Sequence, residues 1–96
     1  MNNLDEKKYI GRVVYSKQGR DSKKDFIVIE VINNDYVYIA DGSLRTVEKP
    51  KKKKVKHLIF TDRIAEEIRD LVLNGQMISN SKIKRFLQSE DNDKEV

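Results

Sequence analysis

Ninety-six residues, 38% hydrophobic and 38% charged, suffice for one small core and leave no room for a second. The absence of cysteine excludes disulfide frameworks, thiolate metal sites and cysteine nucleophiles together. Twenty lysines and arginines against sixteen carboxylates leave a net charge of +4, and a basic surface draws polyanions. The charge is uneven along the chain. Residues 1–60 hold 14 basic and 8 acidic side chains, residues 61–89 hold 5 and 4, and residues 90–96 hold 1 and 4. Met1–Lys8 is polar and charged, unlike a secretory leader. The longest nearly apolar run, Phe26–Ile32, is interrupted by Glu30 and falls far short of the ~20 residues a spanning helix needs. A cytoplasmic protein without membrane contact is the expectation, since a small domain lacking disulfides suits a reducing compartment.

In chain order, Ile10, Val13, Val14 and Tyr15 form a β-branched and aromatic run, with Gly11 marking a bulge or tight bend. Ser16–Asp25 is polar, contains Gly19 and reads as a loop. Phe26–Ile32 is the strongest strand signal in the chain. Asn33, Asn34 and Asp35 are turn residues, and Tyr36–Ala40 alternates as a third strand. Asp41-Gly42 is a second turn signal, which makes Leu44–Val47 a short fourth strand and, after the lysine run, Val55–Phe60 a fifth. Short strands at this spacing predict a small barrel or sandwich.

The period then changes. Thr61 is a candidate N-cap, and Ile64, Ile68, Leu71 and Val72 fall at i, i+4, i+7 and i+8, opposite Glu66, Glu67, Arg69 and Asp70. Asn74-Gly75 is a stop signal. A second helix is predicted over Ser81–Ser89, capped by Asn80, with Ile83, Phe86 and Leu87 on its apolar side. Glu90–Val96 has nothing to bury and reads as a disordered acidic tail. The predicted organisation is an arm over 1–8, a mainly β domain over 9–60, a helical extension over 61–89 and the tail over 90–96.

The stretch Ile10–Ile32, a strand opening near a glycine, a basic glycine-containing loop and a hydrophobic strand, resembles a KOW motif. Its continuation through Asp35–Gly42 and Val47–Leu58 is similar to KOW proteins related to the archaeal and eukaryotic large-subunit ribosomal family "L-fourteen-e", a pattern that small bacterial RNA-binding proteins share. The likeness covers about residues 9–58. It implies an SH3-like five-stranded β-barrel that binds structured RNA. In this resemblance Gly11 and Gly19 match the motif's glycines, Arg20 its basic residue after the loop glycine, and Lys56-His57-Leu58 the closing element. Ser22-Lys23-Lys24 stands where many KOW sequences carry a further glycine, so the loop tip departs from the pattern.

The same residues point to RNA on physical grounds. Lys17, Arg20, Lys23 and Lys24 share one loop, and six of the eight residues from Lys49 to Lys56 are lysine (Lys49, Lys51, Lys52, Lys53, Lys54 and Lys56). Cations at that density repel one another until a polyanion neutralises them. With Arg12, Arg45, Gly19 and His57 they form the expected RNA-binding set, and ribosomal RNA, with ribosomal proteins beside it, is the expected partner. Tyr9, Tyr15, Tyr36 and Tyr38 suit either base stacking or half-buried strand positions. The inventory holds no converging acid–base or nucleophilic set, no phosphate-cradling glycine motif and no metal-ligand spacing, so neither catalysis nor a cofactor is expected. An SH3-like module that binds a peptide or protein partner is the alternative, because the fold alone does not choose.

Overall fold

A computed structural model describes residues 8–17 and 24–95. Five antiparallel strands, β1 (Arg12–Ser16), β2 (Asp25–Val31), β3 (Tyr36–Ala40), β4 (Lys51–Lys54) and β5 (Leu58–Ile64), form one sheet in the order β4-β3-β2-β1-β5. Two helices follow, α1 (Glu66–Leu73) and α2 (Asn80–Glu95). The protein is mainly β, with its helices at the C-terminal end of the chain.

The centre of the sheet is buried on both faces. On one side Val14, Phe26, Val28, Val37 and Ile39 pack with Ile10 and Leu58. On the other, Val13, Ile27 and Ala40 pack against Ala65, Ile68, Ile83 and Leu87 from the helical segment. Alternation along a strand explains how neighbours such as Val13 and Val14 enter different cores. The helices are therefore the second layer that the sheet requires.

Several expected elements form differently, each for a local reason. The sheet does not close into a barrel. β4 and β5 are its two edges, joined by a three-residue 3-10 turn, Val55–His57. The turn's backbone is bound elsewhere: Val55 N donates to Asp35 O at 2.8 Å, and Lys17 N donates to His57 O at 3.0 Å. With those groups engaged, the chain crosses from one edge of the sheet to the other without forming a β4–β5 hairpin. Leu44–Val47 is not a strand. Asp41 Oδ1 accepts from Ser43 N and Arg45 N, both at 2.9 Å, and Asn80 Oδ1 accepts from Val47 N at 2.8 Å. Side-chain acceptors have captured the donors a ladder would have used. The fourth strand is instead the lysine run itself, paired with β3.

Thr61 does not cap a helix. Its hydroxyl donates to Val13 O at 2.7 Å within the sheet, and β5 continues to Ile64, so a boundary at residue 60 divides a strand. Ser79, one residue before α2, supplies the cap expected of Asn80: its Oγ accepts from Lys82 N at 3.2 Å. Helix α2 runs past Ser89 through the acidic residues to Glu95.

The stop after α1 is as expected. Gly75 has φ +73°, Gln76 N donates to Leu71 O at 2.8 Å, and Gly75 N donates to Val72 O at 3.0 Å, the double bond of a Schellman cap. Gly11 has a second constraint besides its φ of +83°. A Cβ there would lie 2.6 Å from Arg69 Cβ and 3.1 Å from Ala65 O, where α1 crosses the turn before β1. Gly11→Ala is expected to cost about 2–4 kcal/mol, from left-handed strain plus overlap. Gly75→Ala, with open space around it, should cost only about 1–2 kcal/mol. Chemical denaturation midpoints of the two variants test that order.

Candidate nucleic-acid interface

The cationic residues of the middle of the chain become a surface because β3 offers a free edge. Lysine is a poor strand former, yet Lys51–Lys54 pair residue by residue with Ile39, Tyr38, Val37 and Tyr36. Cross-strand partners share a face, so Lys51 and Lys53 lie on the side of the buried Ile39 and Val37, and their aliphatic stems extend that core's rim. Lys52 and Lys54 share the opposite face with Tyr38 and Tyr36. There the Lys52 ammonium stands 4.7 Å from the centre of the Tyr36 ring, and that of Lys54 stands 5.8 Å from it. Such contacts contribute about 0.5–1 kcal/mol at exposed sites, enough to order a lysine without immobilising it. None of the β3 partners is a carboxylate, so β3 leaves the charge of the ladder uncompensated.

The other predicted residues distribute around this strand. Lys56 and His57 are exposed on the 3-10 turn, and the bond from Lys17 N to His57 O brings the base of the β1–β2 loop beside them. Lys24, at the far side of that loop, lies instead with Asp41, Ser43 and Lys84 of α2 around a shallow depression of about 350 Å³. Gly19, Arg20 and Lys23 fall outside the described residues. Lys49 is exposed just before the strand, with its amide donating to Thr46. Arg45 is half-buried in the Asp41 turn. Arg12 braces the fold, because its guanidinium donates to Lys8 O and to Thr61 O, both at 3.0 Å, and so ties the N-terminal turn to β5. The structure therefore gathers Lys17, Lys52, Lys54, Lys56 and His57, and sets Lys24 and Arg12 apart from them.

Sequence reasoning missed the partnership of Tyr36 with the lysine ladder. The alternation of Tyr36 and Tyr38 was visible, but the strand that would lie beside them was hidden by its composition. All four tyrosines are half-buried. Tyr9 packs on Phe60 with ring centres 5.0 Å apart and belongs to the core. Beside Tyr36, a cleft of about 400 Å³ is lined by Asn34, Asp35, Tyr36, Lys54, Val55 and Lys56.

Away from this face two carboxylates are held by donors from α2. The Glu67 carboxylate accepts from Lys82 Nζ at 2.6 Å, joining α1 to α2, and this bond with its Coulomb attraction lowers the Glu67 pKa. Asn80 Nδ2 donates to Glu48 at 3.0 Å and lowers the Glu48 pKa. Both acids have depressed folded-state values, so their stabilising contribution is present above the ordinary carboxylate range and fades as pH falls through the folded value. Both are solvent-exposed and the contribution is small.

No protein-family model matches the chain. It is similar to a Bacillus subtilis (strain 168) protein named "Putative ribosome-binding protein YbzG", at 27% identity over 71 residues, covering 74% of this chain and 96% of the relative. Among the described residues, no helix is long and apolar enough to cross a membrane.

An all-lysine edge strand also serves the fold, since charge on an exposed edge prevents sheet-to-sheet pairing. Lys52→Val with Lys54→Val is expected to make the protein self-associate as concentration rises, which sedimentation velocity reads directly. Lys52→Thr with Lys54→Thr should sediment as the native chain does, and should unfold within about 1 kcal/mol of it. The lost ring contacts are offset by the better strand propensity of threonine and by relieved charge repulsion.

Proposed function

We propose that this protein is a non-catalytic, cytoplasmic RNA-binding protein of the ribosome or translation machinery, which holds structured ribosomal RNA through phosphate contacts. The observation that carries this reading is the β4 ladder: four consecutive lysines on a sheet edge, opposite Tyr, Val, Tyr and Ile rather than carboxylates. Edge protection does not call for an unbroken row of charges, since short strands, bulges, proline or a covering loop serve it as well. A continuous row with Lys56 and Lys17 beyond it exceeds that need and concentrates positive charge that a polyanion can neutralise. The relative named for ribosome binding supports the choice of partner. The four-strand meander β1–β4, followed by a 3-10 turn and a β5 that returns to pair with β1, supports an SH3-like, KOW-type assignment, with the gap between β4 and β5 as its open side. The chemistry this face offers is charge and stacking, and its single histidine, His57, lies exposed among lysines.

RNA in A-form presents phosphates and a shallow minor groove, so a small sheet reads its backbone and its exposed loops rather than its deep groove. With about four to five phosphates engaged, log K for purified ribosomal subunits or their RNA should fall against log salt with a slope of about −3 to −4. Moving from 50 to 200 mM salt would then reduce affinity by about two decades. The triple substitution Lys52→Thr, Lys54→Thr and Lys56→Thr should weaken binding to all RNA sequences alike and flatten the slope by about 2. Threonine keeps the strand and the edge polar, so a loss reports on charge rather than on folding. Undiminished affinity and slope in that variant would overturn the reading.

A further inference from the structure

A ladder of lysines recognises any polyanion, but the cleft at its end has a more particular chemistry. About 400 Å³ in volume, it lies within the size range of small-ligand sites. One wall is the Tyr36 ring, set on β3. Another is the Lys54–Lys56 segment, whose Lys54 is paired directly across from Tyr36. The rim is the β2–β3 turn, which presents Asn34 and Asp35.

This turn is rigidly held. Asn33 Oδ1 accepts from Asp35 N at 2.8 Å and from Tyr36 N at 3.0 Å. Tyr36 O accepts from Ile32 N at 3.0 Å, and Asp35 O accepts from Val55 N at 2.8 Å. The backbone of the turn is thus bonded to itself and to the 3-10 turn, and its outer side chains stand on a preformed frame. Preformed walls reduce the ordering cost of binding.

Asp35 is the residue that generic phosphate binding does not explain. A carboxylate beside Lys54 and Lys56 opposes a phosphate, unless it meets hydrogen-bond donors instead. Among the RNA bases only guanine offers two adjacent donors, N1–H and N2–H, on its Watson–Crick edge, and a carboxylate accepts both at once. Such an edge and a free ring face are available only in an unpaired nucleotide.

We propose that this cleft takes one unpaired guanine nucleotide, its base stacked on Tyr36, its Watson–Crick edge on Asp35 and its flanking phosphates on Lys54 and Lys56. The inference rests on the RNA-binding reading and adds which part of an RNA is read, and how. Lys52, which covers the Tyr36 ring at 4.7 Å in the free protein, moves off the ring toward the backbone when the base arrives. Base stacking on an aromatic ring is the stronger contact of the two.

The test uses the full chain and the single-stranded pentanucleotides UUGUU, UUAUU and UUUUU. The chain has no tryptophan, so in Tyr36→Trp the new indole is the only one, and its fluorescence should be quenched as UUGUU saturates the protein. Native protein should bind UUGUU more tightly than UUAUU or UUUUU, and Asp35→Asn should erase that difference. Tyr36→Leu should weaken UUGUU about five- to a hundred-fold while leaving the salt slope unchanged. An unquenched indole at saturation would overturn the stacking, and equal native affinity for UUGUU and UUAUU would overturn the guanine assignment. If Tyr36→Leu binds normally while the triple lysine variant still loses affinity and slope, the cleft is not a nucleotide site and the phosphate reading stands. If neither variant loses affinity, both readings fall.

Discussion

Burial of the central strands on both faces is the constraint on which the rest of this structure depends. Val13, Ile27 and Ala40 are as completely buried as Val14, Phe26 and Ile39, although the two groups point to opposite sides of the sheet. A domain of this size has little surplus stability. Leaving one face open to water would expose a contiguous apolar patch. Ile68 of α1 and Ile83 and Leu87 of α2 cover that face. Ala65 N donates to Gly11 O at 2.7 Å and Gly11 N to Val28 O at 2.8 Å, so the helical layer is joined by backbone bonds to the turn before β1 and through it to the sheet. The helices are part of the core, and that role in the fold is sufficient to account for their apolar stripes.

With one face covered by helices and the other filled by the sheet's own side chains, one free surface among the described residues is the β4 edge and the turns at its end. This is where the lysines collect. A row of like charges on neighbouring residues costs free energy in the isolated protein, but the ammonium groups alternate between two faces and two of them are drawn toward the Tyr36 ring. The arrangement is stable as it stands and still able to exchange the ring contact for a phosphate. Edge protection and polyanion binding use the same side chains, so selection for either would retain them.

Elsewhere two carboxylates have local donors. Glu67 is bonded to Lys82 and Glu48 to Asn80, and each carboxylate is held on its acidic side by a donor from α2. These contacts join α1, the β3–β4 loop and α2 at the rim of the second core. The lysine ladder has no such acidic partner across the strand.

Much of this was determined by the sequence itself. Tyr36–Ala40 is a strand at its expected limits, Phe26–Ile32 is displaced by one residue, and the Asn74-Gly75 stop is a Schellman cap. These depend on local chemistry: β-branched density, alternation, and a glycine at positive φ. Three features were decided only in the tertiary structure. Lys51–Lys54 became a strand because β3 had an unpaired edge, against the propensity of every residue in it. Leu44–Val47 stayed a loop because Asp41 and a distant Asn80 captured its amides. The Thr61 hydroxyl turned to Val13 O instead of capping a helix. In each case a partner outside the segment supplied or removed a hydrogen bond. The basic composition was legible at once, but its assembly beside Tyr36 was not, because side chains far apart in sequence meet only when strand pairing sets their register.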